Sequence, residues 1–397
     1  MSGPRLTSRR RSGSGSRSAS KSRLSRSTVK RSSSSSKSEG ANAIGSGGFG
    51  TVFSPAFVNT NFTDATHDRR NWVTKVFASK DAYEKAVANI PTIQRIGMNY
   101  NAFAYKRPLS LSNVPRSKRA NILSAKKRSE PDRNTIFAIR MPNKGLSVRK
   151  ILDERNLASL RAIPIYTIMG QVCKTIRQMI ALTDDGYIHG DIRDTNLLID
   201  PTTGIITIID FDWFYTKPEF LNEYFGHFGF YSNPPETLLT ASGSGHSAEY
   251  IKDFKEFFID RPIIDTINDS NLVNKITLQS VTGSYVLNKN PRIWNKTLDT
   301  FDSFGLAWTL LALLGHLYPG ALDNKTGSLK RALATRITNN GTPYTDAELD
   351  TCATAINAMV QTVLLPMGHF SVRDRRTAAE VYEPAVMVLS AVNPVLI

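Results

Sequence analysis

Asp191 and Asn196 stand five positions apart in the run Ile188, His189, Gly190, Asp191, Ile192, Arg193, Asp194, Thr195, Asn196, and a short apolar stretch then leads to Ile209, Asp210, Phe211 and Asp212. An Asp and an Asn at that spacing on one tight loop can hold a substrate hydroxyl and a magnesium ion together, with a second Asp at a strand end as the other metal ligand. The chemistry this combination suits is phosphoryl transfer. On this reading the candidate metal ligands are Asn196 and Asp210.

Such groups need phosphates to act on, and two upstream elements are candidates to position them. Ile44, Gly45, Ser46, Gly47, Gly48, Phe49, Gly50, Thr51 and Val52 form a Gly-x-Gly-x-x-Gly-x-Val loop. Gly45, Gly47, Gly48 and Gly50 let backbone N–H groups approach phosphate oxygens without a Cβ in the way, although the same spacing occurs in dinucleotide-binding turns and ordinary flexible loops. Thr51, Val52 and Phe53 after it have strand character, and no helix opens there. The run from Asn71 to Phe77 is a second expected strand with a single Lys75 inside it, the context in which a lysine pairs α- and β-phosphates.

With these parts in order, the chain from about residue 44 to 381 resembles the protein kinase family. Asn233, Pro234, Pro235 and Glu236 are similar to the family's Ala-Pro-Glu element, and Arg375 resembles the late arginine that pairs with that glutamate. The Pro-Pro-Glu ending, the basic front end and the short upper part look most like kinases encoded by large DNA viruses. The resemblance implies an α+β, bilobal fold with a small β-rich upper lobe over residues 41–142, a larger helical lower lobe over 143–397, and ATP with Mg2+ as cofactors. It implies Asp191 as the catalytic base, Arg193 as the group that neutralises charge on the transferring phosphoryl, and Lys75 on the nucleotide phosphates.

The same resemblance assigns the nucleotide's surroundings. Ser79, Lys80 and Asp81 look like a helix start, with Tyr83, Val87 and Ile90 on one face and Pro91 as the stop. Glu84, the only Glu on that helix, becomes the expected partner of Lys75. Residues 137–142 look like the strand that enters the hinge, with Ile139 as gatekeeper and Met141 at the hinge, while Val52, Val73 and Leu198 would sandwich the adenine. Residues 165–183 carry apolar residues at helical spacing as scaffold for the loop. A further large helix is expected over 301–316, with Asp302 at its start supporting the catalytic loop; Asp299 is the alternative.

Several positions depart from the family pattern. Arg193 replaces the usual Lys, a planar fork in place of a compact charge. Gly190 replaces the Arg that reads an activation-loop phosphate in many kinases, so no loop phosphorylation is expected to be needed; Thr216 and Ser232 are the only Ser or Thr hydroxyls between Asp210 and Glu236. Asp212 stands where a Gly is usual, either stiffening the segment or binding magnesium itself. Gly229 falls near the place of the usual substrate-loop Thr. The acceptor expected is Ser or Thr of proteins.

Length and composition accommodate this reading, with 397 residues, 41% hydrophobic content and only two cysteines, Cys173 and Cys352. That cysteine count implies no disulfide framework and a reducing compartment. No apolar run approaches the roughly 20 residues a membrane span needs. The expected location is intracellular, in host cytoplasm or nucleus, or in a virion. The net charge of +16 is unevenly placed: residues 1–40 carry +10 and residues 105–133 carry +7, which leaves −1 for the rest. A nearly neutral body thus bears a Ser/Arg-rich leader and a basic inserted loop over 106–133 that includes Arg116, Lys118, Arg119, Lys126, Lys127 and Arg128, both too polar to fold by apolar burial.

Sixteen serines in the leader make phosphorylation a natural charge switch, since each phosphate adds roughly −1.5 to −2. The leader is read as a targeting or weak nucleic-acid-binding arm, a string of phosphoacceptors open to autophosphorylation, or an inert tail. Residues 239–298 exceed what the fold requires and are expected as an insertion, with a flexible linker over 241–245 and a charged helix over 250–258. Two rivals remain. The His-Gly-Asp and Ile-Asp-Phe-Asp segments also resemble small-molecule phosphotransferases of the aminoglycoside and choline kinase type, and a pseudokinase scaffold would keep the fold without turnover.

Overall fold

Phe53, Val76 and Ala138 lie on one side of the amino-terminal sheet and Lys75, Phe77 and Ile139 on the other, the alternation that the two-residue period of strands imposes. The computed structural model describes residues 42–47, 50–57, 71–105, 109–113, 119–120, 122–123, 134–153, 160, 162–223, 234, 291–322, 326–335, 343–369 and 372–392. The leader, Gly48, Gly229, Ser232, Glu236, most of the basic inserted loop and residues 241–290 lie outside them.

Five strands form an antiparallel sheet in the order β1-β2-β3-β7-β4. They are β1 (Asn42–Gly47), β2 (Gly50–Ser54), β3 (Trp72–Phe77), β4 (Phe103–Ala104) and β7 (Ala138–Pro142), with β5 (Leu109–Ser110) and β6 (Thr135–Ile136) paired separately. Helix α1 (Lys80–Arg95) connects β3 to β4. Its start is capped as expected, the Ser79 hydroxyl accepting from the Ala82 N–H at 3.3 Å. The expected stop at Pro91 is incorrect, because the helix runs on to Arg95. Burial of Ile90, Ile93 and Ile96 in the core outweighs the backbone bond that proline removes.

The chain then becomes mainly helical: β8 (Leu146–Ser147), α2 (Val148–Asp153), α3 (Ile165–Asp184), β9 (Tyr187–Ile188), β10 (Leu197–Ile199), β11 (Ile206–Ile208), β12 (Tyr215–Thr216) and α4 (Lys217–Glu223). After these come α5 (Pro291–Leu317), α6 (Thr326–Leu333), α7 (Asp346–Ala358), which continues through a wider turn at Met359–Leu364, and α8 (Ala378–Val392). The fold is thus mixed α+β, with a sheet-rich amino-terminal part and a helical carboxy-terminal part. Helix α3 buries Ile168, Met169, Val172, Ile176, Met179 and Leu182, the stripe its spacing foretold.

Helix α5 begins at Pro291, ten residues before the expected 301, so Asp302 lies inside it and not at its start. Thr297, Leu298, Thr300 and Phe301 are buried along its first turns, which explains why this polar-looking approach is helical. One continuous core joins Phe77 and Ile139 of the sheet to Met169, Phe211, Trp308 and Leu313. Among the described residues no helix is long and apolar enough to cross a membrane.

Candidate active site

The loop between β9 and β10 carries its chemistry on a frame of short bonds. Asn196 Nδ2 donates to the Asp191 carbonyl at 3.0 Å and to Asp191 Oδ2 at 2.7 Å, so the two residues singled out by their spacing are in direct contact. Arg193 Nε lies 3.0 Å from Asp191 Oδ1. Asp194, buried, forms an ion pair with Arg149 of α2 at 2.5 Å. Burial pushes the Asp191 carboxyl up to about 7; Arg193 and the Asn196 amide oppose that rise, while the charges of Asp210 and Asp212 add to it.

Beneath the loop, Asp302 of α5 accepts the His189 N–H at 2.6 Å and the Gly190 N–H at 3.0 Å. Asp299, the alternative, instead pairs with Lys217 at 2.6 Å. Burial raises the Asp302 carboxyl to about 7 despite these two N–H bonds. His189 Nε2 donates to the Ile209 carbonyl at 2.9 Å and its Nδ1 accepts the Asp191 N–H at 3.3 Å, which together define the neutral tautomer. Its ring stands 4.6 Å from that of Phe211, and burial lowers its pKa to about 4.

Gly190 has φ +79°, and a Cβ there would come within 3.0 Å of the Trp213 carbonyl. The glycine in place of the expected arginine is therefore a requirement of this loop's backbone. Asp210 has φ 68° and ψ 62°, the only left-handed non-glycine among the described residues. An aspartate tolerates that region better than most side chains, and such conformations gather at functional sites. The Phe211–Trp213 turn that follows sets Asp210 and Asp212 on the same side as Lys75.

Register places the residues expected to face the nucleotide. Val52 pairs with Lys75, Lys75 with Ile139, and Val73 with Met141, so these five side chains share one face of the sheet. Leu198 sits on β10, opposite Ser147 of β8. Gly45 and Gly47 lie on β1 and Gly50 opens β2. A Cβ on Gly50 would collide with the Val76 carbonyl, so this glycine is needed for packing β2 on β3 whatever else it does.

Lys75 is buried, and its ammonium contacts Asp210 Oδ1 at 2.5 Å and Asp212 Oδ2 at 2.7 Å. The expected partner Glu84 is not with it. Glu84 pairs with Lys80 one turn back on α1 at 3.0 Å, with more than half of each side chain exposed. An exposed carboxylate within reach of a neighbouring lysine costs nothing to solvate, whereas a buried ammonium takes the nearest buried acids. Burial alone would lower the Lys75 pKa, but the two aspartates raise it well above the ordinary lysine value. Lys75 in turn holds Asp210 below its ordinary pKa, while burial holds Asp212 above its own.

Spacing alone did not reveal three contributors. Tyr100 is buried with its ring 4.8 Å from Phe211 and near enough to Lys75 to interact electrostatically. Arg149 and His189 brace the loop; the His in the His-Gly-Asp run was the available signal for the latter. Arg375, expected to pair with Glu236, is fully buried, donates from Nε to the His369 carbonyl at 2.8 Å, and lies over the Phe304 ring at 4.7 Å. Its counterpart Glu236 lies outside the described residues.

The fold and this clustering of a lysine, three aspartates, an asparagine and an arginine are consistent with the protein kinase class. Among curated proteins the chain is similar to serine/threonine-protein kinase 1 of African swine fever virus. The Pretoriuskop and Warthog isolates' proteins are each 28% identical over 152 aligned positions, and that of the Malawi isolate is 29% identical. Each match takes in 32% of this chain and 47% of the relative, so the chain spans about half the length of the curated relatives it matches. No family model matches the chain. The likeness supports a kinase-like enzyme related to viral Ser/Thr kinases.

Proposed function

We propose that the protein transfers the γ-phosphoryl group of ATP to Ser or Thr hydroxyls of protein substrates. The observation that carries this reading is the pairing of Lys75 with Asp210 and of Asn196 with Asp191, on a strand, a strand-end turn and a loop far apart in sequence, with Asp210 near enough to Asp191 to interact electrostatically. Asp191 accepts the hydroxyl proton and aims the oxygen, and Arg193 offsets charge on the group in transfer. Lys75 engages the α- and β-phosphates under the glycine-rich segment of Gly45, Gly47, Gly48 and Gly50. Val52, Val73 and Leu198 contact the base, with Met141 at the hinge between a lobe of residues 41–142 and a lobe of residues 143–397.

Asn196 and Asp210 suit Mg2+ because both offer hard oxygen donors and few protein ligands are needed. The Asn196 amide nitrogen is already committed to Asp191, its oxygen, which accepts the Thr195 hydroxyl at 3.3 Å, has a second lone pair for the metal, and about a third of the Asp210 side chain is open to solvent. Magnesium, when bound, supplies charge neutralisation on the phosphates. The Ser/Arg-rich leader is a natural substrate of the same site, and its charge suits weak nucleic-acid contact until phosphorylated.

The test is incubation of the protein and its Asp210→Ala variant with radiolabelled ATP, magnesium and mixed basic and acidic proteins. Label on Ser or Thr, at least about a hundredfold lower in the variant, supports the reading. Absence of protein label alongside measurable nucleotide binding would transfer the assignment to a scaffold, and label on a small-molecule acceptor to the aminoglycoside or choline kinase type.

A further inference from the structure

We infer that Asp212, and not a glutamate of helix α1, is the carboxylate that positions Lys75 for nucleotide, so that this lysine draws no charge partner from α1. This inference rests on the kinase reading of the site. Three observations meet in it. A buried ammonium requires a counter-charge, and Lys75 has two carboxylates in contact, Asp210 and Asp212. These differ in access: the Asp210 side chain is 36% exposed, in keeping with a ligand atom that faces phosphate and metal, whereas Asp212 is 8% exposed and faces inward. The glutamate of α1, Glu84, is 57% exposed and bound to Lys80.

When Asp210 turns to its ligand role, Asp212 is the acid left beside Lys75. It reaches that place because the Phe211–Trp213 turn follows a left-handed Asp210, which carries the residue two positions on back toward the sheet. A glycine at 212 would leave the ammonium without a dedicated partner, and the only remaining source would be α1. The lysine and its anchor are therefore carried by β3 and the strand-end turn, packed into the continuous core through Phe77 and Phe211, and α1 joins that core through apolar side chains and not through a carboxylate to Lys75. Asp212 acts here as a positioning residue.

The experiment compares Asp212→Asn, Glu84→Gln and Lys75→Met in the full chain, by thermal melting without nucleotide and by ATP affinity and steady-state kinetics with magnesium. Asp212→Asn is expected to lower the melting temperature by roughly 5 °C, to weaken ATP binding by roughly tenfold, and to raise KM for ATP more than it lowers kcat. The magnesium concentration for half-maximal rate should stay unchanged. Added to Lys75→Met, it should cost little more in ATP affinity than Lys75→Met alone. Glu84→Gln, at a carboxylate this structure leaves outside the site, should change none of these by more than about twofold.

A tenfold loss of ATP affinity from Glu84→Gln would overturn the inference by itself, including where Asp212→Asn fails to fold. So would an Asp212→Asn protein altered only in its magnesium requirement, which would make Asp212 a metal ligand. The melting comparison needs no nucleotide, so a protein that binds no ATP sinks the kinase reading while the Lys75–Asp212 pair is still judged.

Discussion

The loop between β9 and β10 and helix α1 face the same small group of side chains, the loop fastened to it by buried polar bonds and α1 by apolar packing, Tyr83 against Phe77. From His189 to Asn196 every polar contact described is buried or half-buried, and the base of the loop hangs on one carboxylate of α5. Helix α1 buries its apolar face in the core and turns its one glutamate to solvent. The lesson is that a carboxylate near a functional cluster takes its role from burial, not from the helix that carries it. Asp302, deep in α5, holds a loop; Glu84, at the surface of α1, pairs with a lysine one turn away.

Removing each carboxylate in turn should separate the two most strongly. Asp302→Ala leaves the buried N–H groups of His189 and Gly190 without their acceptor, at about 1–3 kcal/mol for each. A loss of several kcal/mol in unfolding free energy and a fall in turnover of about a hundredfold are expected. Glu84→Gln, a surface change, should stay within about 0.5 kcal/mol. Chemical denaturation of both variants, followed by single-turnover assays, measures the contrast. Equal losses would mean that α1 carries a polar tie to the site after all.

A second test probes the loop's buried histidine through pH. His189 titrates at about 4 in the fold against about 6.5 when exposed. Between those values the unfolded chain binds a proton that the folded chain refuses, so stability falls as pH drops from 6.5 toward 4 and is constant, for this group, above and below. The span of about 2.5 units corresponds to about 3 kcal/mol. Denaturation at pH 7 and pH 4.5, compared between the protein and His189→Gln, isolates this term from the other titrating groups. If both lose stability in parallel, His189 is less enclosed than its contacts with Ile209 and Phe211 indicate.

How much of this was open to inspection in the sequence follows the same divide. Local features were legible: Asp191 and Asn196 on one loop from their spacing, the Ser79 cap from the residue before the apolar pattern, the α3 stripe from its period. Contacts across long separations were legible only as types. That Lys75 needs an acid could be expected; that the acid lies 137 positions away at Asp212, and not nine away at Glu84, depends on which side chain the fold buries. Asp302 and Asp299 could not be told apart for the same reason, and burial under the loop decides between them. Pro91 and the polar approach to α5 misled because local breaking signals were outweighed by burial of Ile93, Leu298 and Phe301.

The smallest expected effect tests whether the loop backbone itself is under constraint. Gly190 occupies a left-handed conformation in which a side chain costs about 1–2 kcal/mol, and the Trp213 carbonyl and the Phe220 ring lie where a Cβ would go. Gly190→Ala should therefore destabilise by about 2 kcal/mol while leaving the Asp302 bonds available, because the N–H that Asp302 accepts remains. Gly190→Arg, which restores the residue expected of many kinases, should be no better tolerated, since the penalty arises at φ and at Cβ before any guanidinium is placed. Melting curves of the two variants separate the cases. If the arginine variant were as stable as the parent and its activity came to depend on phosphorylation of the segment after Asp210, glycine would be a regulatory choice at this position. Matching losses in both variants would place the reason in the backbone, on the fastened side of the site, where Trp213 closes over the loop.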